Sequence, residues 1–263
     1  MKPENIEIKR NDQSTRIFDN RSLAADYRTL VTVLRQGLRV LDVGCGTGAI
    51  SADIARRVGK TGSVTGIDNT EKFIQSGRES NRAVSNLKLI HADLFDFEPQ
   101  EKFDLIVSAR VLQWLSTPKQ AIEKMRQMLK ANGQISILDY DHTNLEWKPA
   151  PPDSMQHFYR AFLQWRADAG MNNQIAEDLA SYFSEAGFRD IEVLEANETY
   201  ERGQDNFVSK LKIWSKVAEL DQIVEKGYLQ EEQRLIAIQE YNDWVGNKAM
   251  LMIMKLKEVR AKI

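Results

Sequence analysis

Three glycines, Gly44, Gly46 and Gly48, stand at alternate positions just after a short apolar run, and Asp42 stands two residues before the first of them. Glycine lacks a β-carbon, so such a loop turns through unusual dihedrals and lets a ligand approach the backbone closely. Gly44, Gly46 and Ala49 also satisfy the dinucleotide spacing with alanine in third place, so the glycines alone leave the ligand open. Asp42 narrows the choice. A carboxylate at a strand end opposes a pyrophosphate and suits a ligand that carries an ammonium and a sulfonium, which favours S-adenosylmethionine. Asp68, about 20 residues beyond the glycines, is placed to accept hydrogen bonds from ribose hydroxyls, as either ligand class requires. Asp93, in His91-Ala92-Asp93-Leu94, is placed to accept from an adenine amino group while Leu94 covers the ring; a dinucleotide gives that acid no role.

A methyl acceptor that must lose a proton would need a base, and His142 in Asp139-Tyr140-Asp141-His142 is the candidate. The same cluster is not expected to bind a metal, because alternate residues on an extended chain face opposite ways. Cys45, the only cysteine, reads as a small buried residue and not as a nucleophile; alone, it rules out an internal disulfide or a cysteine metal cluster. Trp147, His157, Phe158, Tyr159, Phe162 and Trp165 give residues 140–173 an aromatic density that suits either a lid over an organic substrate or a satellite core.

The elements that must position these residues alternate. Strands are expected at Leu38–Val43, Ser63–Ile67, Leu87–His91, Phe103–Val107 and Gln134–Leu138. Helices are expected at Gly48–Arg57, from Thr70 to Arg82, and after Thr117 and Pro118, ending at Asn132 and Gly133. Alternation of this kind implies an α/β doubly wound sheet. A Pro-containing loop from Tyr140 and an aromatic helix, Met155 to Ala167, interrupt it. A helix near Ile175 to Ala186, a strand at Phe188–Ala196, helical pieces over Asp205–Val245 and a closing strand at Ala249–Val259 follow. The expected organisation is one domain: an N-terminal helical segment 1–36, a cofactor-binding core 37–139, a substrate lid 140–173, and the rest of the sheet 174–263 with a helical insertion 203–246.

Val40-Leu41-Asp42-Val43-Gly44-Cys45-Gly46-Thr47-Gly48 resembles motif I of class I S-adenosylmethionine-dependent methyltransferases. The resemblance extends through Gly66-Ile67-Asp68, Ala92-Asp93, Phe103 to Ser108 and Leu112-Gln113-Trp114-Leu115, in family order. It implies a Rossmann-like, seven-stranded, mostly parallel sheet whose last strand is antiparallel, with S-adenosylmethionine across the switch point and substrate above it. Carried over residue by residue, Asp42, Gly44, Cys45, Gly46, Thr47 and Gly48 hold the methionine end, Asp68 the ribose, and Asp93 with Leu94 the adenine, with Asn69 and Ala92 also in the cofactor site. Ser108 and Arg110 would lie near the sulfonium. Tyr27, in the N-terminal segment with Phe18, would close over the cofactor.

Over 263 residues the formal net charge is −2, with acidic and basic residues mixed, so no footprint for a polyanion stands out. The charged Met1–Arg10 stretch has no apolar h-region, and no run is long enough to span a bilayer. The expectation is therefore a cytoplasmic enzyme that methylates O, N or C of a small organic molecule, with no nucleic-acid or membrane partner and an open oligomeric state. The rivals are a nucleic-acid or protein methyltransferase and a non-catalytic cofactor-binding regulator. Amino methylation of bases in resembling enzymes uses an Asn/Asp-Pro-Pro-aromatic motif after the fourth strand. Here that place holds Ser108-Ala109-Arg110-Val111, and Pro151-Pro152-Asp153 comes a strand too late.

Overall fold

The computed structural model describes residues 21–263. Phe18, with the rest of segment 1–36 up to residue 20, lies outside the described residues.

Aliphatic runs form β1 (Arg39–Val43), β2 (Ser63–Asp68), β3 (Leu87–His91) and β4 (Phe103–Ala109), all parallel. With β5 (Leu129–Lys148), β6 (Arg189–Glu195) and β8 (Leu251–Lys262) they make one sheet in the order β3-β2-β1-β4-β5-β8-β6, and β8 is antiparallel to both its neighbours. The doubly wound sheet with its antiparallel last strand is thus present. It has an eighth, unexpected strand: β7 (Glu198–Glu201) pairs with residues 251–254 of β8.

Helices cover both faces, which is why these strands are apolar without clean alternation. Val40, Val64, Leu105, Val107 and Leu138 pack with α2 (Ala49–Val58) and with the N-terminal segment, a short helix α1 (Leu23–Asp26) and a 3₁₀ turn at Arg28–Thr32. Leu41, Ile106, Ile135, Ile137 and Val259 pack on the other face with α4 (Pro118–Gln127) and α6 (Ile175–Glu185). Between them in sequence, α3 (Glu71–Ser80) lies beside β2 and β3.

Two boundaries differ from expectation. α4 stops at Gln127, and Asn132, expected at its end, has φ 125° in a bulge where Phe103↔Leu129 gives way to Leu105↔Gln134. Tyr140 to Lys148, expected as a loop, continues β5, and Glu146, Trp147 and Lys148 pair with Ile253, Met252 and Leu251. A second irregularity between Asp141 and Glu146 breaks the period of two, and the partner strand lies far along the chain, so local pattern gave no sign of it.

α5 (Asp153–Asp168), α7 (Phe207–Leu211), α8 (Ile213–Ala218), α9 (Gln222–Glu225) and α10 (Glu231–Asn247) extend the first core through Phe158, Phe162, Trp214, Tyr241 and Trp244. The aromatics of α5 are therefore packed: Tyr159 and Trp214 meet edge to face at 4.8 Å, and Trp147 and Tyr159 at 5.2 Å. Among the described residues, no helix is long and apolar enough to cross a membrane, and no group of three potential ligands is placed for a metal.

Candidate active site

The loop after β1 takes left-handed backbone at Gly44 (φ 71°), Gly46 (φ 58°) and Gly48 (φ 76°). Gly44 is also needed for space, since a β-carbon there would come within 3.0 Å of Val111 Cγ1 and nearer still to Cγ2. The loop's amides turn toward β2. Gly44 and Cys45 N–H both donate to the Ile67 carbonyl (2.8 and 3.0 Å), and Gly46 N–H donates to Asp68 Oδ2 at 2.9 Å. Those donors are committed inside the protein, so they do not form the anion cradle that a pyrophosphate needs.

The charges under the loop argue the same way. Asp42 is buried and accepts the Ser51 hydroxyl at 2.5 Å. Burial pushes its carboxyl up to about 7, the Ser51 bond opposes this, and neighbouring Asp68 pushes in the same direction as burial. Asp68, also buried, accepts Thr70 N–H at 2.9 Å with its other oxygen. Two buried acids would repel a phosphate, whereas a cationic ligand relieves their desolvation; these residues fit S-adenosylmethionine. Asn69, Ala92, Asp93 and Leu94 gather where β2 and β3 end side by side, with Ala92 N–H donating to the Asp68 carbonyl at 3.0 Å. Asp93 is exposed and caps its own turn through Phe95 N–H (2.8 Å); Leu94 is buried. Thr47 is buried and offers its carbonyl to Asn81. Burial pushes the Cys45 thiol well above its usual range, which makes it a poor nucleophile.

Three expected contacts are directed elsewhere. The Ser108 hydroxyl is fully buried and donates to the Val43 carbonyl at 2.9 Å, so it serves the β1–β4 pairing and does not face a sulfonium. Tyr27 lies in the core beneath the N-terminal segment, its hydroxyl 2.8 Å from Ser136 Oγ, because its ring fills the first core beside Val107 and Leu138. Arg110 takes left-handed backbone (φ 62°) and swings its guanidinium away from the loop, toward Tyr140, Glu198 and the Asp26 carbonyl.

The profile of a methyltransferase-domain family matches residues 34–223. The chain belongs to this methyltransferase family. It is an S-adenosylmethionine-dependent enzyme. A demethylmenaquinone methyltransferase of Staphylococcus aureus is 28% identical over 172 residues, covering 61% of this chain and 71% of the relative. Two solved structures share the fold. A SAM-dependent methyltransferase from Aquifex aeolicus superposes with a TM-score of 0.56 at 16% identity, covering 97% of this chain and all of that one. A phosphoethanolamine N-methyltransferase from Haemonchus contortus gives 0.55 at 14% identity, covering 98% of this chain and 54% of its own.

Past the end of the β4–β5 pairing in the methyltransferase, His142 is buried, its Nε2 2.6 Å from Gln113 Oε1, its amide donating to the Asn173 carbonyl. Burial first, and Arg166 second, hold the imidazole well below its usual range, so it stays neutral and resists taking a proton. Around it lies a network that sequence reasoning missed. Gln113 N–H donates to Asp139 Oδ2 (3.1 Å), and the Gln113 carbonyl accepts from Arg166 Nη2 (2.7 Å). Asp139 is fully buried, and burial pushes it up to about 6 against the pull of two backbone amides and of Arg166 and Arg110. Arg166 is also fully buried, 4.8 Å from the Trp114 ring centroid. One signal was available: Arg166 falls four residues after Phe162, on the apolar stripe of its helix.

Proposed function

We propose that the enzyme transfers the methyl group to O, N or C of a small organic acceptor seated above the carboxyl ends of β4 and β5. When bound, S-adenosylmethionine supplies an electrophilic methyl on a sulfonium. Asp42 and the Gly44–Gly48 loop would hold its methionine end, Asp68 with Asn69 its ribose, and Ala92, Asp93 and Leu94 its adenine. The observation that carries this reading is the pair of buried acids, Asp42 and Asp68, beneath a glycine loop whose amides are bonded to β2.

The protein's part in the reaction is to align the acceptor in line with the methyl and to exclude water, which can supply most of the acceleration. Gln113, Arg166 and Asp139 fix the backbone after β4 for that purpose. His142 is a positioning residue in this scheme, not the base, because its charged form is disfavoured. A small acceptor is supported by the named relatives, one for demethylmenaquinone and one for phosphoethanolamine. The mixed surface charge and the Ser108-Ala109-Arg110-Val111 stretch at the end of β4 support an acceptor other than nucleic acid, and we place the reaction in the cytoplasm.

The test is a methyl-label transfer with a metabolite extract as acceptor. Label in the small-molecule filtrate is expected; label retained only on protein or nucleic acid would contradict the proposal.

A further inference from the structure

Arg110 follows directly on the strand that pairs with β1, and the next residue, Val111, packs against Gly44. The Arg110 backbone is therefore next to the cofactor loop, while its guanidinium reaches away to Tyr140, on the part of β5 that continues past the end of β4. Arg110 is 5% exposed. Nε donates to the Tyr140 hydroxyl (2.9 Å), and Nη2 donates to the Asp26 carbonyl (2.9 Å) and to the Glu198 carboxylate. Nη1 is buried and has no hydrogen-bond partner among the described residues. A charged donor left unpartnered in a dry site is costly, so it marks a place built for another acceptor atom.

The surroundings are those of an anion site already holding one anion of the protein's own. Glu198 comes from β7, the strand added outside the expected sheet, and its second oxygen accepts the Tyr200 hydroxyl at 2.9 Å. Arg21 lies within electrostatic reach of Arg110 and Glu198, and Lys210 Nζ is 3.7 Å from Asp26 Oδ1. Arg110, Arg21 and Lys210 thus gather around Glu198 and Asp26. Arginine's planar fork binds a carboxylate or phosphate through two parallel donors, and Nη1 with Nη2 offers that pair once Glu198 moves aside.

We propose that this cluster is the subsite for an anionic group, carboxylate or phosphate, on the methyl acceptor, with Arg110 its main ligand and Glu198 the internal anion it displaces. The proposal rests on the small-molecule reading above and narrows it to acidic acceptors. Arg110 then sets specificity: it holds the far end of the acceptor while the accepting atom reaches the methyl.

The experiment is calorimetry of the full chain saturated with S-adenosylhomocysteine, titrated with inorganic phosphate and, separately, with acetate, against chloride at equal ionic strength. One of the two anions is expected to saturate a single site, and which one does so tells phosphate from carboxylate recognition. Glu198→Gln, which removes the competing charge, should tighten that anion about tenfold, and Arg110→Met should abolish its binding while leaving S-adenosylhomocysteine affinity within about threefold. Should Arg110→Met fail to fold, Arg110→Lys carries the test, with anion binding weakened about tenfold by loss of the fork. No saturable anion binding in either the wild type or Glu198→Gln overturns the proposal. So does a variant at Arg110 that loses S-adenosylhomocysteine affinity and keeps anion affinity, because the guanidinium would then serve the cofactor. If the wild type does not bind S-adenosylhomocysteine at all, it is the methyltransferase reading that fails, before any anion is added.

Discussion

Asp42 is the residue on which the cofactor seat depends most, and its protonation makes the fold and the binding of ligand depend on pH with a definite sign. Its folded-state carboxyl sits at about 7, against 3.8 ordinarily, chiefly through burial. The native state therefore holds a proton that the unfolded chain releases earlier, and the stability this contributes is full below about 3.8 and lost as pH rises through about 7. Asp139, pushed up to about 6, adds to the same trend. The ligand-free melting temperature is expected to fall between about pH 4 and 7. A cationic cofactor favours ionised Asp42, so calorimetric affinity for S-adenosylmethionine should rise about tenfold between roughly pH 6 and 8. Ser51→Ala, which removes the bond that holds Asp42 down, should move that midpoint upward; an unmoved midpoint would count against Asp42 as the titrating group. For His142, replacement by Asn should slow turnover by less than about tenfold, whereas a base typically contributes about 10²–10⁴. A loss in that range, with a matching change in the pH profile, would restore His142 as the base. The two strand-end acids were legible because they stand at the ends of apolar runs. The direction of Arg110 was not: it depends on a left-handed backbone at 62° and on Glu198, far along the chain.

At the scale of elements, the glycine loop rests on α3. A β-carbon at Gly77 would come within 2.8 Å of the Thr47 carbonyl carbon and 2.9 Å of Leu89 Cδ1. On helix propensity alone, Gly77→Ala would stabilise the protein by about 1 kcal/mol. The backbone of Thr47 has little freedom to move, and overpacking of this kind costs about 1–3 kcal/mol, so contact should win. Gly77→Ala is expected to unfold at lower urea and to bind S-adenosylhomocysteine more weakly, because displacing Thr47 displaces Gly46 and Gly48. A variant more stable than wild type would show that α3 does not support the loop. The helix itself was legible from Thr70 as its expected cap and Glu71 in its first turn, but Gly77 reads in sequence only as a weak helix former. Its meaning lies in the closeness of two elements, which periodicity does not encode. The same limit hid the second half of β5, whose partner strand and bulges are tertiary facts.

Across the whole molecule, the N-terminal segment is fastened to the sheet by a buried polar chain. Tyr27 meets Ser136, which donates to Glu258 at 2.6 Å; Arg260 donates to Glu258 at 2.5 Å and reaches Thr32 Oγ1 and the Thr29 carbonyl. Glu258 is fully buried, so it depends on Arg260 for charge balance. Arg260→Met should therefore destabilise the fold by about 3–5 kcal/mol in denaturant titration, the usual cost of stranding one member of a buried pair. A loss under about 1 kcal/mol would match a solvated pair instead. Sequence reading placed a strand over Ala249–Val259 on its apolar residues, and the charged ones between them gave no hint of a cross-link to a segment at the other end of the chain. The doubly wound class itself was legible, since strands and helices largely alternate from Arg39 to Leu138, but the order of the strands in the sheet was not, because alternation does not say which strands are neighbours. The glycine loop with Asp42 and Asp68 fits a cationic nucleoside. Isothermal calorimetry of the full chain with S-adenosylmethionine and with a nicotinamide dinucleotide tests it most directly. The account predicts micromolar binding of S-adenosylmethionine, weakened more than about tenfold by Asp68→Ala, and no heat from the dinucleotide. Binding of the dinucleotide with none of S-adenosylmethionine would contradict it.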